Sequence, residues 1–210
     1  MQTDFEISEF LKDFDSKCFK TQIRSFIKDE VITTYIEKRN QMCILLSGIA
    51  NLIRYDYNGN KTIIGQFSQG DIFGEVLYPT NTNNELFVEA KEPCTVLSFI
   101  YDNILKKCNN RCKFHEELEH KLPFLIINNT IQLNTRIEIL TKKSIRDKLL
   151  TYFKILSNKK FSKTFKIPFT LTDLADYLCV DRSAMMRELS HLKEEGFIEK
   201  KGKQITLLMS

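Results

Sequence analysis

The sequence predicts an α+β chain in three parts: antiparallel strands, then a long helix, then a compact helix–turn–helix closed by a β-hairpin. Three observations carry that reading. Residues 30–99 hold short runs rich in β-branched and aromatic residues, separated by turn signals. From Cys112 to about Leu156 there is no glycine, and apolar residues recur three and four apart. The run LTDLADYLCVDRSAMMRELSHLKEEGFIEKKGKQITLL then reads as two short amphipathic helices and two strands. A chain of 210 residues with 42% hydrophobic and 28% charged residues can bury a core and is ordinary for a globular protein. No run approaches the ~18–20 apolar residues of a membrane span. The start, MQTDFEISEFLKDFD, is acidic and mixed, unlike an export or organellar leader, so the expected location is the cytoplasm.

Taken in order, Asp4 to Phe26 predicts a helix, with Phe5, Phe10, Leu11 and Phe14 on one face. VITTYI, MCILLSGIANLIRYDY, KTIIGQF and CTVLSFI predict strands of a sandwich or small barrel. Asn58-Gly59 predicts a tight hairpin with positive φ at both central positions. Leu118, Leu122, Leu125, Asn129, Leu133, Ile137 and Leu140 form a seam that predicts pairing of two chains, with Asn129 setting the register. The other use of this helix is to pack on its own β-domain. Pro123 is placed near the helix start, and a break and hinge near Lys142 to Ser144. Ser157 to Lys166, SNKKFSKTFK, predicts a basic hairpin or loop.

Thr170 to Leu178 is then one short helix, Cys179-Val180-Asp181 a turn, and Arg182 to Glu194 a second helix stopped by Gly196. Strands around Lys201-Gly202 complete the layout of a winged helix. Leu174, Leu178, Met185, Leu189 and Leu192 can form one small core, with Ala175 at the close approach and Val180 closing the turn. Asp181 is placed to cap the second helix. That leaves Arg182, Ser183 and Arg187 outward at its N-terminal end, the end that enters the major groove in a helix-turn-helix. Charge agrees. Residues 1–112 carry 13 basic and 15 acidic residues, whereas residues 113–210 carry 18 and 12, a net of +6 that fits an anionic partner.

The C-terminal run quoted above is similar to the DNA-binding domain of the Crp/Fnr family of bacterial transcription regulators. LLSGIANLIRYDYNGNKTIIGQFSQGDIFGE resembles the same family's cyclic-nucleotide-binding-type jelly roll. The resemblance implies a jelly-roll sensor domain over residues 1–111, a dimerisation helix and hinge over 112–142, and a winged helix-turn-helix over 143–210. It places Arg182, Ser183 and Arg187 at the family's three main base-reading positions. Arg suits the paired acceptors of guanine. The middle position is often Glu in the family, and the shorter Ser183 is expected to alter the half-site. Thr170, Thr172, Lys201 and Lys203 are candidate phosphate contacts. Gly74 and Glu75 match the family's nucleotide-binding turn, but Asn84-Glu85 stands where the family has Arg-Ser. Asn cannot neutralise a phosphate and Glu85 repels it. Control by cyclic AMP is therefore not expected, and Gly74 and Glu75 read as remnants of the turn.

Other chemistries fit less well. The cysteines are Cys18, Cys43, Cys94, Cys108, Cys112 and Cys179, with no CxxC pair and no four-thiolate spacing for an iron–sulfur cluster. Cys108, Cys112 and His115, followed by Glu116, Glu119 and His120, share helical spacing and form the basis of an alternative metal- or thiol-responsive regulator. No resident metal or cofactor is expected. All three histidines lie outside the β region, and no nucleophile–base–orienter set or P-loop occurs, so catalysis is not expected. The expected partners are double-stranded DNA with a near-palindromic site and a second copy of the chain. RNA polymerase and an unidentified small effector are further candidates. A sensor acting through protein partners is the alternative from another class.

Overall fold

The computed structural model describes residues 21–35, 40–59, 61–77, 86–105 and 113–208, and the side chains of 104, 105 and 113–119 lie outside that description. The chain divides into two compact units, Met1–Ile131 and Gln132–Ser210.

The first unit is a jelly-roll sandwich of two four-stranded antiparallel sheets. One has the order β1 (Gln22–Phe26), β8 (Cys94–Ile100), β3 (Gln41–Ser47), β6 (Ile72–Phe73). The other has the order β2 (Val31–Thr34), β7 (Leu86–Ala90), β4 (Ala50–Tyr55), β5 (Lys61–Phe67). Strand side chains alternate between faces. Phe26, Cys43, Leu45, Leu52, Phe73, Val88 and Val96 fill the space between the sheets. Met42, Ile44, Leu46, Leu97 and Phe99 point the other way and pack with Leu122 and Leu125. The latter two belong to the long helix α2 (Lys113–Leu140), which follows the short α1 (Tyr101–Leu105). Strand β3 is thus covered on both faces, which is why MCILL runs apolar without alternation.

Several elements differ from the sequence reading. Residues 4–20, where a helix is expected, lie outside the described residues, and Gln22–Phe26 is a strand rather than its continuation. Pairing of Gln22–Phe26 with Ser98–Cys94 and burial of Phe26 override the helical spacing. The Asn58-Gly59 turn has a different construction. Gly59 N–H bonds the Asp56 carbonyl at 2.9 Å, so Tyr57 and Asn58 are central, and only Gly59 has positive φ. Asn58 is held instead by its N–H donating to the Asp56 carboxylate at 2.8 Å. β7 was hidden by Glu89, which meets Lys61 at 3.2 Å and Lys91 at 3.5 Å.

α2 includes Pro123 in its eleventh position, further inside than expected. The turn at Thr141–Ser144 then leads to α3 (Ile145–Lys160), whose N-cap is Ser144 accepting from Asp147 N–H at 3.0 Å. Ser157–Lys160, expected as loop, is the last turn of α3, and Thr164–Lys166 is strand β9. Phe161 ends α3 in the left-handed region (φ 49°), a position where sequence reading looks for glycine. No described helix is long and apolar enough to cross a membrane.

The second unit packs α3 with α4 (Leu171–Leu178), α5 (Arg182–Glu194) and a three-stranded sheet of order β10 (Ile198–Lys201), β11 (Gln204–Leu207), β9. Its core contains Leu149, Phe153, Leu174, Met185, Leu192 and Ile205, together with Ile139 from the last turns of α2. Arg136, also on α2, stacks its guanidinium 4.2 Å over the Tyr177 ring. Arg146 joins α3 to α5 as a fork. Its Nε donates to Glu188 at 2.6 Å, and its two terminal nitrogens donate to Glu195 at 2.7 and 2.6 Å.

The Tyr152 hydroxyl is buried and, among the described residues, has no hydrogen-bond partner. Tyr152→Phe should raise unfolding free energy by ~1 kcal/mol, and Phe153→Ala should lower it by ~3–5 kcal/mol, both read by urea melts. The hydrogen bonds from Arg146 hold the Glu195 carboxyl below its ordinary pKa. The resulting stabilisation is present above the unfolded carboxylate range and is lost as pH falls through the lowered folded value. Arg146→Ala should therefore lower the urea midpoint at neutral pH, and its difference from the parent protein should shrink in acid.

Candidate nucleic-acid interface

The residues that orient α5 are those its sequence names. Asp181 accepts from Ala184 N–H at 2.8 Å, closing the N-terminal end. Leu174, Ala175 and Leu178 of α4 are buried with Met185, Leu189 and Leu192 of α5, and Val180 packs against them. At the far end Gly196 (φ 76°) lets Phe197 N–H bond the Leu192 carbonyl at 2.9 Å. The turn between the helices uses the same device with Cys179 in the left-handed position (φ 52°). Its N–H bonds the Asp176 carbonyl, and Val180 N–H bonds that of Ala175.

With Met185 and Leu189 inward, Arg182, Ser183 and Arg187 are exposed. Among the described residues neither arginine is held by a carboxylate. The first turn of α5 carries no acidic residue. Asp181 already caps that end, so the positive charge offered to a partner comes from the exposed Arg182 and Arg187 side chains.

The outlying candidates are placed differently. The Thr170 hydroxyl caps α4, accepting from Asp173 N–H at 3.1 Å and donating to the Asp173 carboxylate at 2.8 Å. Thr172 is exposed in the first turn of α4. Lys201 and Lys203 are exposed on either side of Gly202 at the β10–β11 turn. Register also brings in a residue the sequence reading passed over. Lys201 pairs with Gln204, and Gln204 pairs with Lys166 of β9, so these three side chains form one cross-strand row. The signal for Lys166 existed in the alternation of TFK, but the segment read as loop.

Gly74 and Glu75 lie in the jelly roll. Gly74 has φ 143°, and a Cβ there would collide with the backbone of Gln41 and Met42. Its N–H donates to the Tyr35 hydroxyl at 3.1 Å. Glu75 is only 7% exposed, and its Oε1 accepts from Gln41 N–H at 3.1 Å. Burial, with a smaller contribution from the Glu75 charge, pushes the Cys43 thiol up to about 12, so it stays protonated. Cys94 is also buried, its Sγ donating to the carbonyls of Ile49 and Glu92 at 3.2 Å each. Cys179 and His120 are exposed. Asn84, Glu85, Cys108 and Cys112, and the side chains of His115, Glu116 and Glu119, lie outside the described residues. Among the described residues no group of His, Cys, Asp and Glu is arranged to hold a metal.

Known proteins share this architecture. The family model of the cyclic nucleotide-binding domain matches residues 23–111, and that of the Crp-like helix-turn-helix domain matches residues 147–209. The cAMP-activated global transcriptional regulator CRP of Pasteurella multocida is 23% identical over 208 residues, covering 99% of this chain and 98% of that protein. The transcriptional activator protein FnrL of Cereibacter sphaeroides is 22% identical over 202 residues, covering 86% of this chain and 74% of that protein. Among solved structures, a CooA variant from Carboxydothermus hydrogenoformans superposes with a TM-score of 0.72 at 19% identity, covering 99% of this chain and 93% of that one. FixK2 from Bradyrhizobium japonicum superposes with a TM-score of 0.68 at 19% identity, covering 90% and 93%. The two family matches follow one another in the order β-roll then helix-turn-helix, and the relatives are named as transcription regulators; the chain belongs to the Crp/Fnr family of DNA-binding transcription regulators.

Proposed function

We propose that the chain is a sequence-specific regulator that binds a near-palindromic DNA site as a homodimer, with a β-roll that does not answer to cyclic AMP. The observation that carries the DNA reading is the exposed Arg182, Ser183 and Arg187 on a capped helix whose opposite face is the core of its unit. In a dimer the two α5 helices would enter major grooves ~34–36 Å apart. Arg182 and Arg187 would read guanine edges. Ser183 has one short hydroxyl, so the base pair between them would be read less strictly than by a longer carboxylate.

The second copy is argued from α2. Leu122 and Leu125, assigned to the seam by spacing, face the chain's own sheet, and Asn129 is half-buried. The apolar residues left outward are instead Phe124, Ile126, Ile127, Ile131, Leu133 and Ile137, with Ile131 57% and Ile137 58% exposed. So many large apolar side chains on one helix mark an interaction surface. A second α2 is the symmetric partner that covers it, so the seam is rotated from the predicted one and keeps Leu133 and Ile137.

The case against cyclic AMP rests on two features. The Glu75 carboxylate already accepts the Gln41 N–H, and the sequence places Asn84-Glu85 where resemblance calls for Arg-Ser. That the Pasteurella multocida relative is named as cAMP-activated is a property of that protein.

Selection from a random DNA pool by purified protein, with no ligand added, should enrich a two-fold-symmetric site; absence of symmetry would end the dimer reading. Arg187→Ala should weaken specific binding by ~1–3 kcal/mol and leave non-specific binding nearly unchanged. Ile131→Asp should shift the protein to monomer in sedimentation experiments without lowering its helix content. Added cyclic AMP should change neither the selected site nor its affinity.

A further inference from the structure

We propose that DNA contact extends from the β10–β11 turn onto strand β9, where Lys166 is a backbone-positioning residue. This rests on the DNA-binding reading of the same unit and extends it to a strand that neither helix of the motif includes.

The strand pattern fixes which side chains face out. Phe165 and Ile205 are buried and paired with each other, so their neighbours Lys166 and Gln204 point to the opposite side. Lys201 is paired with Gln204 and joins them. Lys166, Gln204, Lys201 and the adjacent Lys203 line one shallow groove together with Thr164. The Thr164 and Thr206 hydroxyls, 3.0 Å apart, form the next row. Across that second row lies Glu199, paired with Thr206. Among the described residues none of Lys166, Lys201 and Lys203 is held by a carboxylate.

Three ammonium groups in one groove repel one another, and an anion relieves that repulsion. Phe165 also borders the groove, but its side chain is buried in the core and offers no face on which a base would stack, so the groove fits phosphate rather than base edges. Adjacent strands are ~4.8 Å apart, which sets the Lys166 and Lys201 backbones ~10 Å from each other. Duplex DNA presents one negative charge per ~1.7 Å of axis, so a row this long meets separate phosphates of one polymer. A single free phosphate would satisfy one lysine and leave the others.

The test is the salt dependence of affinity for a duplex carrying the selected site, using the full chain. Each phosphate contact contributes ~0.9 to the slope of log affinity against log salt, or about 3.5-fold in affinity between 50 and 200 mM. Lys166→Ala should lower that slope by ~0.9, and the Lys166→Ala, Lys201→Ala double variant by ~1.8. Lys166→Arg should keep the slope of the parent, and the selected sequence should be unchanged in every variant. A Lys166→Ala protein that keeps its full slope, while Arg187→Ala still loses specificity, would overturn this inference and leave the regulator reading standing. If the parent protein bound no duplex at low salt, both would fall. Competition by inorganic phosphate at millimolar concentration, equal to that by duplex, would show a small-anion site and overturn the polymer assignment.

Discussion

Burial of β3 on both of its faces is the constraint from which the rest of the first unit follows. A strand with Cys43 and Leu45 on one side and Met42, Ile44 and Leu46 on the other must be covered twice. The opposing sheet covers one side, which requires the jelly-roll closure. Leu122 and Leu125 of α2 cover the other. Once those two residues are spent inward, the phase of the helix is set. At ~100° per residue, Ile127 and Ile131 lie ~140° and ~180° round the helix from Leu122 and cannot also reach the sheet. The outward apolar surface is thus a by-product of how the β-roll completes its own core.

The winged unit depends on termination as much as on burial. α3, α4 and α5 all end with a left-handed residue followed by the same pair of backbone bonds, yet only α5 uses glycine. Phe161 and Cys179 adopt that conformation against their intrinsic preference, a cost the unit's core must offset. The return is direction. The turn at Cys179 and the Asp181 cap aim α5, and the Arg146 fork to Glu188 and Glu195 ties it to α3. The side chains at the front of α5 then carry no structural duty and remain open to a partner.

How much the sequence disclosed varied with how local the signal was. The helix-turn-helix was legible because its core residues, its Asp181 cap and its Gly196 stop all sit within one short run. The strand MCILL was legible because continuous apolarity has few other uses. β1 was not, since QIRSF becomes a strand only through pairing with β8, far away in the chain. The seam of α2 was read from spacing alone, and spacing cannot say which of two apolar faces is claimed by the chain's own sheet. Lys166 stayed hidden for a related reason: in SNKKFSKTFK it is one lysine among several, and only register against Gln204 gives it neighbours.

The position of α2 also bears on how the protein is made. Its outward apolar residues are complete by Leu140, before any part of α3, α4 or α5 has been synthesised. The winged unit is still to be added at that point, at ~5–20 residues per second. Once this segment has left the ribosome, Ile126, Ile131 and Ile137 are exposed while later residues are still being added. Neighbouring ribosomes on one message would hold several such helices at high local concentration. Chains that pair there would be committed to a companion from the same transcript, and chains that did not would carry an adhesive helix into bulk solution.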